Sequence, residues 1–437
     1  MRELYQTPLV TRYASREMST LFSEQRRAIL YRRLWLALAS AQKKLDLKIT
    51  DQQLKQMENH LEEIPFDRIC DLEKEIHHDV MAHILAFGEQ CPDAKPIIHL
   101  GATSTYVTDN ADLILMKEAL HLLRQKIFLL LRHLAEFART HADLACLGFT
   151  HYQPAQPTTV GKRACLWLQD LFTDALDWER IATELPFLGA KGATGTQASF
   201  LHLFKGDERK VKELELLIAR EFGFTKIIPI SGQTFPRKID LTIFQSLASF
   251  AAGVHKIATD LRLLAHDGEI REQFAKQQVG SSAMPYKRNP IYSERLCSLA
   301  RYLLALVQNP AYTLATQWLE RSLDDSANRR IVIPEAFLTA DALLNILISL
   351  IPNLQVDREQ VQKHLEENMH HLIMEHQMME GVQQGGDRQQ LHERLRQGEE
   401  MESTAVNIES LIGRAPNQVR EFLKDQIDPF LKKESKR

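Results

Sequence analysis

Paired-cysteine spacing is missing from this sequence. The five cysteines, Cys70, Cys91, Cys146, Cys165 and Cys297, are scattered, odd in number and without any CxxC. That excludes a disulfide framework or a cysteine-based zinc site and fits reduced thiols. The N-terminus, MRELYQTPLVTRYASREM, has no apolar core of signal-peptide type. No stretch approaches the ~18 uninterrupted apolar residues of a membrane span. These absences predict a cytoplasmic chain with no membrane partner. A surplus of one charge is also lacking: 54 Lys and Arg against 57 Asp and Glu leave a net charge of −3. Nothing in that balance calls for nucleic acid, and an anionic ligand would need a local cluster of cations. There is no GxGxxG after a strand and no GxxxxGK(S/T), which removes the common dinucleotide and P-loop cradles. No cofactor is expected.

Strand signals are almost absent too, and what is present is helical periodicity. The length of 437 residues suggests roughly three domains at ~150 residues each. Leu30, Leu34, Leu38 and Ala41 recur at helical spacing and predict a helix near Ser23–Leu45. Two prolines in the segment Cys91–Pro96 mark a break. Asp109 or Asn110 is a candidate cap for a helix that continues to about His141. That segment, Asp240–His266 and Glu335–Leu350 are apolar on more than one face, so each is expected to be buried on more than one side. The reading is an all-α fold with three helical domains: an N-terminal domain over 1–100, a central bundle over 101–352 and a C-terminal domain over 353–437. Surplus apolar surface on the bundle predicts an oligomer. Glycine breaks are expected at Gly385–Gly386 and Gly413, and the final FLKKESKR reads as a solvated tail.

The most informative stretch is Gly280–Pro290, GSSAMPYKRNP. Gly280 and two small serines give the backbone freedom. Asn289 is a good N-cap and Pro290 a good first helical residue for the helix that follows. Such a helix end offers unpaired N–H groups and partial positive charge, and Lys287 adds a full charge nearby. A hydroxyl, a cation and helix-end donors suit removal of a proton beside a carboxylate, where the carbanion puts extra charge on the carboxylate oxygens. The plain alternative is an ordinary loop before a capped helix.

This loop resembles the signature segment of the fumarase/aspartase superfamily, whose members eliminate fumarate from substituted succinates. Within it, TRYASREM at Thr11–Met18, HDVMAH at His78–His83, HLGATSTYVTDN at His99–Asn110, GFTHYQPAQPTTVGKR at Gly148–Arg163, SGQTFPRKID at Ser231–Asp240, LDDSANRRI at Leu323–Ile331 and GRAPNQV at Gly413–Val419 resemble the adenylosuccinate lyase family, closest to its animal-type branch. The likeness covers nearly the whole chain. It implies a cytoplasmic homotetramer of purine biosynthesis that acts on two nucleotides, adenylosuccinate and the succinylcarboxamide ribotide SAICAR. It also implies active sites shared among three subunits.

Residue roles follow from the same resemblance. Ser281 is implied as the general base, with Ser282 as its competitor. A free serine is too weak a base, so Lys287, loop N–H groups and water exclusion would have to activate it. His151, next to Thr150, is implied as the general acid for the departing purine nitrogen, oriented by Glu294. His78 with Asp79 is implied as a secondary acid or phosphate-side pair, and His99 as a further binding histidine. The cluster of His77, His78 and His83 also invites a metal reading. On a helix, however, His78 and His83 would point ~140° apart, which does not suit zinc, so no metal is expected. Thr103 and Ser104 are implied to bind a substrate carboxylate, where the plain alternative is helix capping. Arg12, Tyr13, Arg321, Ser326 and Arg330 are implied at the nucleotide end, where Arg forks suit phosphate. The plain alternative there is surface pairing of the arginines with Asp324 and Asp325. Gln233, Asn289 and Arg295 complete the implied shell. Argininosuccinate lyase or fumarase is the nearest alternative activity. A non-catalytic structural relative is the alternative of another class, and the presence of Ser281, Lys287 and His151 argues against it.

Overall fold

The computed structural model describes residues 3–274, 277–399 and 407–434. The chain is helical almost throughout and folds into two compact units made of interleaved segments. The first comprises Met1–Arg124, Asp177–Ser249 and Tyr302–Ala342. The second comprises Gln125–Leu176, Phe250–Arg301 and Leu343–Arg437.

In the first unit the helix Glu24–Lys44 starts where its sequence says it should. The Ser23 hydroxyl accepts the Arg26 N–H at 3.2 Å, satisfying one of the orphan donors of the first turn. Leu30, Leu34, Trp35 and Leu38 bury one face of it. The helices Phe66–Ile76 and Asp79–Gln90 meet through Ile69, Leu72, Ala82 and Ala86. His77 joins them in the left-handed region, at φ 54°. The segment from Cys91 onward is a run of turns leading to the longest helix, Ser104–Thr140, about 56 Å of chain at 1.5 Å per residue.

That helix corrects the expected cap. It begins at Ser104, and Asp109 and Asn110 lie buried inside it. Their polarity serves tertiary bonds. Asn110 accepts the N–H groups of Leu188 and Gly189 at 3.1 and 3.2 Å, and Asp109 pairs with Arg237 at 3.0 Å. The helix Asp325–Leu350 likewise starts ten residues before Glu335 and runs through Pro334. It is long and apolar enough to cross a membrane by composition. Two-thirds of that apolar stretch is buried inside the protein, as in a core helix.

The second unit holds two small antiparallel ladders that the sequence did not announce. Ala145–Thr150 pairs with Gln153–Thr159, and Ile270–Glu272 pairs with Leu354–Val356. Pro154 and Pro157 hide the first hairpin from sequence reading, because proline weakens a strand assignment. Its register shifts between Leu147 and Phe149. Gly148 is needed at that shift, since a Cβ there would lie 2.3 Å from the Gln156 carbonyl. Leu147 and Phe149 pack with Leu365 and Leu372 of the helix Arg358–Gln383. Further on, Gly385 and Gly413 sit at positive φ as chain breaks. The expected solvated tail is instead helical over Asp428–Glu434, and Phe430 packs against Phe128 and Phe172. Residues 435–437 of that tail lie outside the described residues.

Candidate active site

The implied site residues fall into two groups, one in each unit. In the second unit, Gly280–Asn289 forms a closed loop. The Asn289 side-chain amide donates to the Gly280 carbonyl at 3.1 Å. The Lys287 carbonyl lies 2.1 Å from where a Gly280 Cβ would stand, so only glycine lets the ends meet. Inside the loop, the Ser281 Oγ accepts the backbone N–H groups of Ala283 at 3.3 Å and Met284 at 3.1 Å. Two N–H donors on one oxygen favour its negative form, which is the activation a serine base requires. Ser281 is half-buried, while Ser282 and Lys287 are exposed.

Two expectations about this loop need correction. Asn289 does not cap the next helix, because its side chain closes the loop. The N–H groups of the helix Ile291–Leu306 are not left open either. The carboxylate of Glu272, itself buried, accepts the N–H groups of Tyr292 at 3.1 Å and Ser293 at 2.7 Å, and the Ser293 hydroxyl at 2.7 Å. An acidic cap on the positive end of a helix is favourable, and it takes up these donors. Glu272 lies well before the helix it caps, and no local spacing signals the pairing.

His151 occupies the tip of the first hairpin, as one of two central residues with positive φ: 55° at His151 and 56° at Tyr152. It is therefore in a tight turn between two strands. Two positive φ values define the type I′ turn that matches strand twist. Positive φ is uncommon outside glycine, although histidine adopts it more readily than most residues. The backbone thus presents the His151 ring at the apex, exposed, beside Thr150. The Tyr152 hydroxyl anchors the tip by donating to Asp267 at 3.3 Å. Glu294 is exposed on its helix, and among the described residues no hydrogen bond joins it to His151. Arg295 lies 5.7 Å over the Tyr292 ring.

The first unit gathers the rest. Arg12 is exposed and sits 5.8 Å over the half-buried Tyr13 ring. His78 caps the helix Asp79–Gln90, its Nδ1 accepting the Met81 N–H at 3.3 Å. Asp79 pairs with Arg330 and accepts the Val80 N–H at 2.6 Å. Burial alone would raise the Asp79 pKa. The bond and charge of Arg330, aided by the Val80 N–H, outweigh it and hold the carboxyl below its ordinary value. His99 stands in a turn at φ 66°. Burial first, and the neighbouring His78 second, lower its pKa to about 4. Thr103 accepts the Tyr106 N–H through its carbonyl at 2.8 Å, and Ser104 is the first residue of the long helix. Thr105 holds Gln233 in place by donating to its carbonyl at 2.9 Å. Gln233 in turn bonds the carbonyl of Glu320 through its N–H at 3.0 Å.

Arg321, Ser326 and Arg330 rest on a buried charge network. Arg237 bridges Asp325 at 2.7 Å and Asp109 at 3.0 Å, and Arg329 bridges Asp240 at 2.8 Å and Asp112 at 3.0 Å. Asp325 is therefore no surface partner for the arginines. It is buried, its main partner is Arg237, and Arg321 reaches it only at 3.7 Å. Sequence reading missed Arg237, Arg329 and their carboxylates, although Arg237 lies in the SGQTFPRKID segment.

Comparison with known proteins decides the family. The family described as Lyase matches residues 15–303. An adenylosuccinate lyase of Schistosoma mansoni is 45% identical over 461 residues, covering 98% of this chain and 96% of that protein. One of Saccharomyces cerevisiae is 43% identical and covers 98% of this chain and 95% of its own length. The chain belongs to the adenylosuccinate lyase family. Among solved structures, the 3-carboxy-cis,cis-muconate lactonizing enzyme of Pseudomonas putida shares the fold at a TM-score of 0.84. It is 21% identical and covers 96% of this chain and 98% of that one. A fumarate lyase of Mesorhizobium sp. BNC1 does so at 0.79 and 21% identity, covering 97% of this chain and 100% of that one. Family membership fits an all-helical lyase and leaves the residue roles to be tested directly.

Proposed function

We propose that this chain eliminates fumarate from adenylosuccinate to give AMP, and from SAICAR to give AICAR. The observation that carries the reading is the Ser281 Oγ held by two loop N–H groups in a chain that matches adenylosuccinate lyases over nearly all its length. As an oxyanion, Ser281 takes the proton from the succinyl carbon beside a carboxylate. The electron pair moves onto that carboxylate and then forms the C=C bond as the C–N bond breaks. His151, protonated, gives its proton to the departing nitrogen. Arg12, Tyr13, Arg321, Ser326 and Arg330 bind the phosphate and ribose end, and Thr103, Ser104 and Gln233 the succinyl carboxylates. Lys287, Glu294, His78, Asp79, His99, Ser282, Thr150, Asn289 and Arg295 complete the shell.

The cations of the first unit support a polyanionic substrate, as does the exposed Arg330, which pairs with Asp79. The apolar bundle helices support an oligomer, and the proposed form is a cytoplasmic homotetramer with each site shared among three copies. The test is purified protein with adenylosuccinate, followed by the ultraviolet change as the purine loses its succinyl group. Turnover to AMP and fumarate is expected. No change with adenylosuccinate, together with cleavage of argininosuccinate, overturns the reading.

A further inference from the structure

Trp35 belongs to none of the groups above, yet it makes a directional contact with one of them. Its side chain is 1% exposed. Its indole Nε1–H lies 2.8 Å from the His99 Nδ1, with the rings edge-on at 84° and 6.0 Å between centroids. An indole nitrogen only donates. The Nδ1 must therefore carry a lone pair, and in the neutral ring the single proton is on Nε2. An imidazolium would set two N–H groups against each other across the same 2.8 Å gap. Burial and the adjacent His78 act in the same direction, bringing the His99 pKa to about 4. The Nε2 itself has no protein partner among the described residues and is not sealed from solvent.

The backbone that carries the His99 ring is itself tied down. His99 is held at φ 66° by the Ala102 N–H on its carbonyl at 3.1 Å. The buried Gln42 amide bonds the next carbonyl, that of Leu100, at 2.9 Å. His78 beside it is arranged alike, with its Nδ1 taken by the Met81 N–H.

We propose that Trp35 is a positioning residue: it locks His99 as the neutral Nε2–H tautomer, so that this N–H donates to an oxyanion of the substrate. A neutral donor binds a phosphate or carboxylate oxygen without titrating between pH 6 and 8, which an ordinary histidine would not do. The ligand part of this inference rests on the proposed function. The tautomer part does not.

The test begins with 15N spectra of the full chain labelled at histidine, with the His99 signals identified by their loss in His99→Gln. A single Nε2–H tautomer is expected at pH 7, persisting on acidification towards its pKa of about 4. In Trp35→Phe it becomes a tautomer mixture, because the indole donor that keeps a proton off Nδ1 is gone. An Nδ1–H or mixed tautomer in the unaltered chain overturns the inference whatever the substrate. In kinetics, Trp35→Phe is expected to raise KM about tenfold, the effect of one hydrogen bond, with kcat nearly unchanged. Inhibition by inorganic phosphate and by fumarate, measured separately, tells which oxyanion is met, and weakening of neither overturns the donor role. His99→Gln places an amide N–H near the Nε2 position and His99→Asn does not. Equal binding by the two variants also overturns it. Should the chain not cleave adenylosuccinate at all, the proposed function fails, and the spectra still decide the tautomer.

Discussion

Ser281 is held by two N–H donors inside a loop that glycine closes. Removing its oxygen leaves that loop otherwise intact, because Asn289 and Gly280 make the closing bond. Ser281→Ala is therefore expected to lower kcat by about 10²–10⁴-fold, the usual worth of a positioned base, with KM and melting temperature near those of the parent. A wild-type rate would remove Ser281 from the chemistry. Glu272 acts on stability instead. Glu272→Gln keeps the shape of the cap but loses its charge at the helix end, and a loss of about 1 kcal/mol is expected in denaturant unfolding. Two half-buried histidines set a pH dependence. Burial is the main cause that lowers both His83 and His99 to about 4. The unfolded chain, with ordinary histidines near 6.5, therefore takes up protons first on acidification. Their contribution is complete above about pH 6.5 and is lost as pH falls toward 4. The melting temperature is expected to drop across that window, and His83→Phe, which cannot titrate, is expected to show a shallower drop.

Elements position what the residues do. The hairpin carries His151 on a two-residue turn in which both φ values are positive, anchored by Tyr152 to Asp267 and by Leu147 and Phe149 to the helix Arg358–Gln383. In the first unit, the start of the helix Asp325–Leu350 is tied down through Asp325 and Arg329. Arg237 is the hub of that attachment, 2% exposed and paired with Asp109 and Asp325. Arg237→Met takes the nearest cation from two buried carboxylates and leaves each only a longer contact of 3.7 Å, to Arg329 or Arg321, and a loss of about 3 kcal/mol is expected, read from denaturant unfolding. Nucleotide KM is expected to rise as well, because Arg321, Ser326 and Arg330 lose their support. An unfolding midpoint unchanged from the parent would contradict the network's structural role.

At the scale of the whole molecule, the implied base and acid lie in one compact unit and the nucleotide-side cations in the other, and the proposed tetramer with shared sites is tested by its mass and by subunit exchange. Light scattering is expected to give the mass of a tetramer. Mixing inactive Ser281→Ala with inactive His151→Gln, then allowing subunits to exchange, is expected to restore activity if different copies supply these two groups to one site. Activity that stays at zero after exchange counts against shared sites.

The legibility of the chain differs with the range of the forces involved. Ser23 and the leucine spacing after it announced their helix, because capping and periodicity act within a few residues. The long apolar helices and the glycine breaks at Gly385 and Gly413 were readable for the same reason, whereas the GSSAMPYKRNP loop stood out as a site only through its resemblance to a family segment. The start of the long helix was misread, since Asp109 and Asn110 look like caps and are instead buried partners of Arg237 and Gly189. The hairpin was missed because Pro154 and Pro157 disguise a strand that pairing with Leu147 and Phe149 makes stable. The sequence by itself determined the helical class, the family and the chemical inventory, all of which reside in residue type and short spacing. Only the tertiary structure decided that Glu272 occupies the helix end after the loop, that Arg237 joins Asp109 to Asp325, and that Trp35 faces His99. Each of these contacts joins residues far apart in the chain, and hydrogen bonds and desolvated charges act between whichever groups the fold brings together.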